Sequence, residues 1–133
     1  MSVDIQPFEP ADLGFIRVRP EYADTLAMVL GVCEVRIDAQ INEWCYTAWG
    51  PYGNALACCG ITDDGEAWAF VDPGLRRRET VAVCRAVMVV LEEHLLRVGP
   101  VFARIRKDVP VAKSWACLLG FTKVGIGTSW VYQ

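Results

Sequence analysis

The sequence predicts an α+β domain: a mixed, mainly antiparallel twisted sheet of about six to seven strands with about four flanking helices. Three observations predict it. Short runs bounded by turn residues alternate apolar and polar side chains with a period of two, the spacing of half-buried strands. Longer stretches place apolar residues three and four apart and end at glycine, the spacing and stop of amphipathic helices. In order along the chain, a succession of hairpin-linked strands is followed by a strand–helix–strand crossover, which combines antiparallel and parallel neighbours in one sheet.

Val3 to Phe8 alternates as a first strand, and Pro10-Ala11-Asp12-Leu13 opens a helical turn carrying Leu13, Phe15 and Ile16. Pro20 and Gly31 bracket a helix with Tyr22, Leu26, Val29 and Leu30 on one face. Trp44 to Trp49 and Ala55 to Ile61 flank the turn-rich Gly50-Pro51-Tyr52-Gly53-Asn54 as a hairpin. A second turn at Asp63-Asp64-Gly65 leads to Ala67-Trp68-Ala69-Phe70-Val71, which completes a three-stranded meander.

After Asp72-Pro73-Gly74 the period changes to that of a long helix from Arg77 to Val98, with Val81, Cys84, Met88, Leu91 and Leu95 as its apolar stripe and Gly99-Pro100 as its stop. Val101 to Arg106 alternates as a strand. Asp108 and Pro110 then start a helix lined by Val111, Ala112, Trp115, Leu118 and Leu119. Gly120 fits a left-handed helix terminus and Phe121 a fold-back onto the apolar helix face. Strands around Thr122 to Ile126 and Ser129 to Tyr132 close the chain.

The 133 residues, 53% of them apolar and 22% charged, fit a single domain spanning residues 1–133 with one core. That apolar share fits a well-filled core, a partner surface, or both. The longest uninterrupted apolar run, Ala86 to Leu91, is far short of the ~20 residues of a membrane span, and Met1-Ser2-Val3-Asp4 lacks the features of a secretion signal. A protein that is not secreted, with reduced cysteines, is expected. The cysteines at 33, 45, 58, 59, 84 and 117 contain no C-x-x-C pair and the single histidine is His94, so no metal site is expected. Cys58-Cys59 reads as small-hydrophobe packing, and His94 as a surface or capping residue.

Charge is unevenly distributed. Residues 1–66 carry a balance of −8 and residues 67–133 a balance of +5. An anionic ligand would therefore be met in the C-terminal half, where Arg76-Arg77-Arg78 is the basic run. Arginine suits bidentate contact with phosphate or carboxylate, and the same run also reads as a solvated helix start. The acidic total and the lack of interleaved basic and aromatic residues argue against nucleic acid.

The opening Ile5-Gln6-Pro7-Phe8-Glu9-Pro10-Ala11-Asp12-Leu13, the segment Asp108 to Phe121 with Ala112, Trp115 and Leu118-Leu119-Gly120-Phe121, and the order of elements resemble the GNAT acetyltransferase superfamily over nearly the whole chain. The resemblance implies a site between the fourth and fifth strands, with a loop of the form Gln/Arg-x-x-Gly-x-Gly/Ala cradling the pyrophosphate of acetyl-CoA. The corresponding stretch here is Arg76-Arg77-Arg78-Glu79-Thr80-Val81, with Glu79 and Val81 in the glycine positions. If cofactor binding is retained, Phe70, Val71, Arg76, Arg77 and Arg78 are the residues implied, and the groove would also pass Arg104. The family's frequent general acid, a tyrosine of the last helix, falls on Ala116, between Trp115 and Cys117. Neither alanine nor tryptophan can protonate a leaving thiolate, and Cys117 could do so only from within the cleft. Glu66 and Asp72 are the available bases, Asp72 equally a turn cap, so no catalytic residue is assigned.

The compact 44–71 meander with Ala57-Cys58-Cys59-Gly60-Ile61, the strand Trp68-Ala69-Phe70-Val71 and the missing glycine loop further resemble small GNAT-like internal virion proteins of short-tailed bacteriophages. That resemblance implies a non-catalytic structural or assembly role in a virion or host cytoplasm, with protein partners in the particle and no cofactor. The alternative is an active N-acetyltransferase using acetyl-CoA. A homo-oligomer is the other expectation for partners, formed through exposed apolar residues on a sheet edge or through the last strand, Trp130-Val131-Tyr132.

Overall fold

β1 (Asp4–Pro7), β2 (Tyr46–Trp49), β3 (Ala55–Ile61) and β4 (Ala67–Val71) follow one another as antiparallel neighbours in a sheet of that order. They are seen in a computed structural model that describes residues 3–17, 42–105 and 110–133. A second antiparallel sheet has the order β5 (Val101–Arg104), β7 (Ser129–Tyr132), β6 (Thr122–Lys123). Helix α1 (Arg77–Arg97) connects the two sheets, α2 (Pro110–Leu119) follows β5, and a 3-10 turn occupies Pro10–Phe15. The helix expected from Pro20 to Gly31 lies outside the described residues, as do Arg106 and Asp108.

The α+β class with seven mostly antiparallel strands is as the sequence predicts, but the strands divide into two sheets. Among the described residues their one parallel pairing is an isolated bridge between Glu66 and Phe102, where the Phe102 N–H donates to the Gly65 carbonyl at 2.8 Å. Beyond that point β4 and β5 form no ladder.

β3 is buried along nearly its whole length because both faces of its sheet are covered. On one face Cys58 and Phe70 pack with Phe8, Leu13 and Ile16 from the first strand and the 3-10 turn. On the other, Ala48, Leu56 and Ala57 receive Val83 of α1. A third cluster lies at the junction of the sheets, where Leu91 of α1 meets Ile61, Val101, Ala103, Ala116, Phe121 and Trp130. Buried Asp12 is satisfied within this framework by the Glu9 N–H at 3.0 Å and the Thr47 hydroxyl at 2.8 Å.

Helix α1 buries Cys84 and Leu91 of the expected stripe, but the inward face is rotated away from Val81 and Met88. Val83, Cys84, Leu91 and His94 are buried, whereas Val81 and Met88 are 42% and 44% exposed. The segment is apolar nearly all round, so periodicity alone does not select the core face. His94 is not at the surface: it is 2% exposed, with Nδ1 3.0 Å from the Gly99 carbonyl and its ring edge-on to Trp44. It secures the chain reversal between α1 and β5.

In α2, Ala116 is buried and Leu118 faces out, again a shift from the expected stripe. The end of the helix is as predicted. Gly120 has φ +96°, its N–H donates to Cys117 O, and the Phe121 N–H reaches back to Ala116 O at 2.9 Å, returning Phe121 to the core. β6 stops at Lys123 and leaves Ile126 exposed in the following turn. β7 is the middle strand of its sheet, hydrogen-bonded on both sides with Trp130 and Val131 buried, so the expected edge pairing through Trp130-Val131-Tyr132 is closed to a second chain.

Gly60 shows how tightly the first sheet is packed. A Cβ there would lie 2.5 Å from Cys45 Sγ and 3.0 Å from the Trp68 ring. Gly60→Ala is expected to lower unfolding stability by about 1–3 kcal/mol through overpacking, read as a shift of the urea midpoint at unchanged slope.

Candidate functional site

The opening between β4 and β5 is closed at one end by the Glu66–Phe102 bridge, and an ion pair spans that junction. Arg104 Nε and Nη2 donate to the two carboxylate oxygens of Glu66 at 2.8 and 3.1 Å. Both oxygens of this candidate base are therefore engaged side-on by a guanidinium. At the far end of β4 the chain turns through Asp72-Pro73-Gly74. Asp72 is 6% exposed, accepts the Gly74 N–H at 2.7 Å and pairs with Arg17 at 3.0 and 3.4 Å. This is the turn-cap role, joined to an anchor for the segment after the 3-10 turn.

Phe70 and Val71 are consecutive strand residues and so face opposite sides of the sheet. Phe70 lies in the cluster with Phe8 and Leu13, while Val71 lies on the α1 side against Ala57 and Val83. The structure does not bring these two together in one groove wall.

Arg76, Arg77 and Arg78 are together at the start of α1. One backbone donor at its start is satisfied from within: the Glu79 carboxylate accepts the Arg76 N–H at 2.9 Å. The helix therefore supplies its own anion where orphan backbone donors and the helix dipole favour negative charge. Beside it an open concavity of about 350 Å³ is lined by Arg77, Arg78, Val81, Ala82 and Arg85, and another of about 380 Å³ by Arg76 to Glu79. None of these four arginines forms an ion pair with a described residue. Arg85 was not singled out from sequence, although its place seven residues after Arg78 puts both on one helix face.

Comparison with solved structures identifies this architecture. An acetyltransferase of the GNAT family from Bacillus anthracis superposes with a TM-score of 0.60 at 10% identity, over 99% of this chain and 93% of its own. The fold is the GNAT fold. A GNAT phosphinothricin acetyltransferase from Sinorhizobium meliloti, determined in complex with acetyl-CoA, gives 0.58 at 13% identity over 98% of this chain and 86% of its own. A chain from Bordetella pertussis, described as a GNAT-family acetyltransferase, gives 0.58 at 20% identity over 98% and 93%. Neither a family profile nor a curated protein matches the sequence.

Within the GNAT fold, the residues present do not fit a backbone cradle for pyrophosphate. Positions 79 and 81 carry side chains, and the Arg76 N–H is already satisfied by Glu79. What is available to an anion is the guanidinium groups around the concavity. Ala116, at the position corresponding to the general acid, is buried in the junction cluster rather than facing solvent, and Cys117 beside it is exposed. Among the described residues no group of three or more His, Cys, Asp or Glu side chains could hold a metal ion, and no helix is long and apolar enough to cross a membrane.

Among the described residues, Cys45, Cys58 and Cys84 are buried packing groups. Burial pushes the Cys58 thiol up to about 12 and raises those of Cys45 and Cys84, so each stays protonated and non-nucleophilic at mild alkaline pH. Alkylation of the native protein near pH 8 is expected to modify Cys117 ahead of Cys45, Cys58 and Cys84, as read by peptide mass spectrometry. Because the folded state holds these protons more tightly, their contribution is complete below the ordinary thiol value of 9.0 and is lost as pH rises toward about 12. The melting temperature should fall across that window.

Proposed function

We propose that this GNAT-fold domain does not transfer acetyl groups and serves as a structural or assembly protein of a bacteriophage particle. The observation that carries the non-catalytic part is the Glu79 carboxylate on the Arg76 N–H, which puts a negative charge where the diphosphate of acetyl-CoA would need backbone donors. The three candidate positions agree with it: Glu66 is held by Arg104, Asp72 by Arg17 and Gly74, and position 116 is a buried alanine. The particle setting rests on the resemblance of the 44–71 meander and the missing glycine loop to internal virion proteins. The partners on this reading are other proteins of the particle.

A second reading, an acetyl-CoA-dependent N-acetyltransferase, is favoured by one feature. Four arginines without ion-pair partners among the described residues line the start of α1, beside strands that diverge as a cofactor groove requires. Solved neighbours, including the phosphinothricin acetyltransferase, hold acetyl-CoA.

Calorimetric titration with acetyl-CoA separates the two. The unaltered chain is expected to give no heat of binding. Binding in the micromolar range or tighter that disappears in Arg77→Ala/Arg78→Ala overturns the non-catalytic reading. Glu79→Gly/Val81→Gly should create binding if these side chains are what closes the loop, and no gain would place the block in the groove itself.

A further inference from the structure

We propose that the outer face of α1 is a self-association surface, on which two copies of the chain pair their α1 helices antiparallel about a two-fold axis between Met88 and Val89. The proposal does not rest on whether the chain binds acetyl-CoA.

The outer face is apolar where a solvated helix would be polar. Val81, Met88, Val89 and Leu96 are 42%, 44%, 63% and 87% exposed. At 100° per residue they fall, with exposed Arg85 and Glu92, within an arc of about 100° on the side opposite Val83, Val87 and His94. The stripe runs for about 22 Å of helix from Val81 to Leu96. A helix carrying apolar residues on both faces needs something to cover the second one.

The charges on the stripe select the occupant. Arg85 and Glu92 are both exposed, and neither forms an ion pair with a described residue. Seven residues apart on one helix, they stand about 10 Å from each other and do not pair directly. They are equidistant from the point midway between Met88 and Val89, as are Val81 and Leu96. A two-fold axis through that point therefore levels Arg85 with the partner's Glu92, and Glu92 with the partner's Arg85. The same axis levels Val81 with the partner's Leu96 and packs the Met88-Val89 pair against its own copy. An isologous contact needs this self-complementarity of one patch, and an unrelated partner would not.

Shape agrees with charge. The concavity beside α1 is lined by Arg78, Val81, Ala82 and Arg85, together with Arg77. Positions 78, 81, 82 and 85 are the i, i+3, i+4, i+7 set that forms a hole for one side chain of a facing helix. The two-fold brings Leu96 of the partner subunit over this hole, and Leu96 is the most exposed apolar residue of α1.

The test is sedimentation of the full-length chain over a range of concentrations at low salt, where an exposed charge pair is least screened. A concentration-dependent monomer–dimer equilibrium is expected. Val89→Glu, which sets two carboxylates against each other at the axis, should leave a monomer with unchanged helical circular dichroism. Arg85→Glu and Glu92→Arg should each weaken the dimer by about tenfold or more, and the double exchange should restore it. A chain that stays monomeric, a dimer indifferent to Val89→Glu, or single exchanges not rescued by the double exchange overturns the proposal.

Discussion

The architecture turns on one junction, the bridge between Glu66 and Phe102 with the Phe102 N–H on the Gly65 carbonyl, because it is the backbone pairing among the described residues that joins the two sheets. Neighbouring parallel strands ordinarily continue such a bridge into an evenly spaced ladder. Here the ladder does not continue, and an apolar cluster lies at the junction. Leu91 of α1, Ile61 of β3 and Val101 and Ala103 of β5 meet there with Trp130 and Phe121, bringing apolar bulk from α1 and both sheets to the point of divergence. The sheets are thus held together at one end by a backbone bridge and by the apolar cluster beside it.

Three carboxylates near this opening could have served chemistry, and each is committed to structure. Glu66 spans the junction to Arg104, Asp72 caps the turn after β4 while holding Arg17, and Glu79 accepts the Arg76 N–H at the start of α1. The Glu66–Arg104 pair is solvent-exposed, so its contribution to stability is small. Its effect is geometric: each oxygen of the carboxylate accepts one guanidinium N–H, which fixes the group side-on to Arg104. Glu79 differs from the arginines around it, since its carboxylate is already engaged by the Arg76 N–H.

What was legible in the sequence was what neighbours in sequence decide. The meander from β2 to β4 is linked by short turns, and Gly120-Phe121 is a local device whose two hydrogen bonds are made within five residues. What was not legible depends on distant pairing. The split into two sheets follows from β4 and β5 meeting at one bridge alone, and β7 inserts between β5 and β6, which turns an expected edge into a centre. The burial of His94 depends on Trp44, fifty positions earlier in the chain. The inward face of α1 was misread because Val81 and Met88 satisfy the helical period as well as Val83 and Val87 do, and only the position of the sheet distinguishes them. For the candidate site, the arginine run and the displaced glycines were readable as residue types. That Phe70 faces away from Val71's side, and that Arg85 joins the cluster, required the strand and the helix to be placed.

The two faces of α1 connect the high apolar content to function. The core takes the arc around Val83, Val87, Leu91 and His94, and it cannot also take Val81, Met88, Val89 and Leu96. These outward residues lead directly into the arginines at the start of the helix, because Val81 and Ala82 line the same concavity as Arg77, Arg78 and Arg85. An apolar side chain seated between Arg78 and Arg85 and an anion held by those guanidinium groups therefore draw on one set of residues. On the proposed pairing of α1 helices, occupancy by the partner's side chain would oppose occupancy by an anion, and linkage makes that opposition reciprocal.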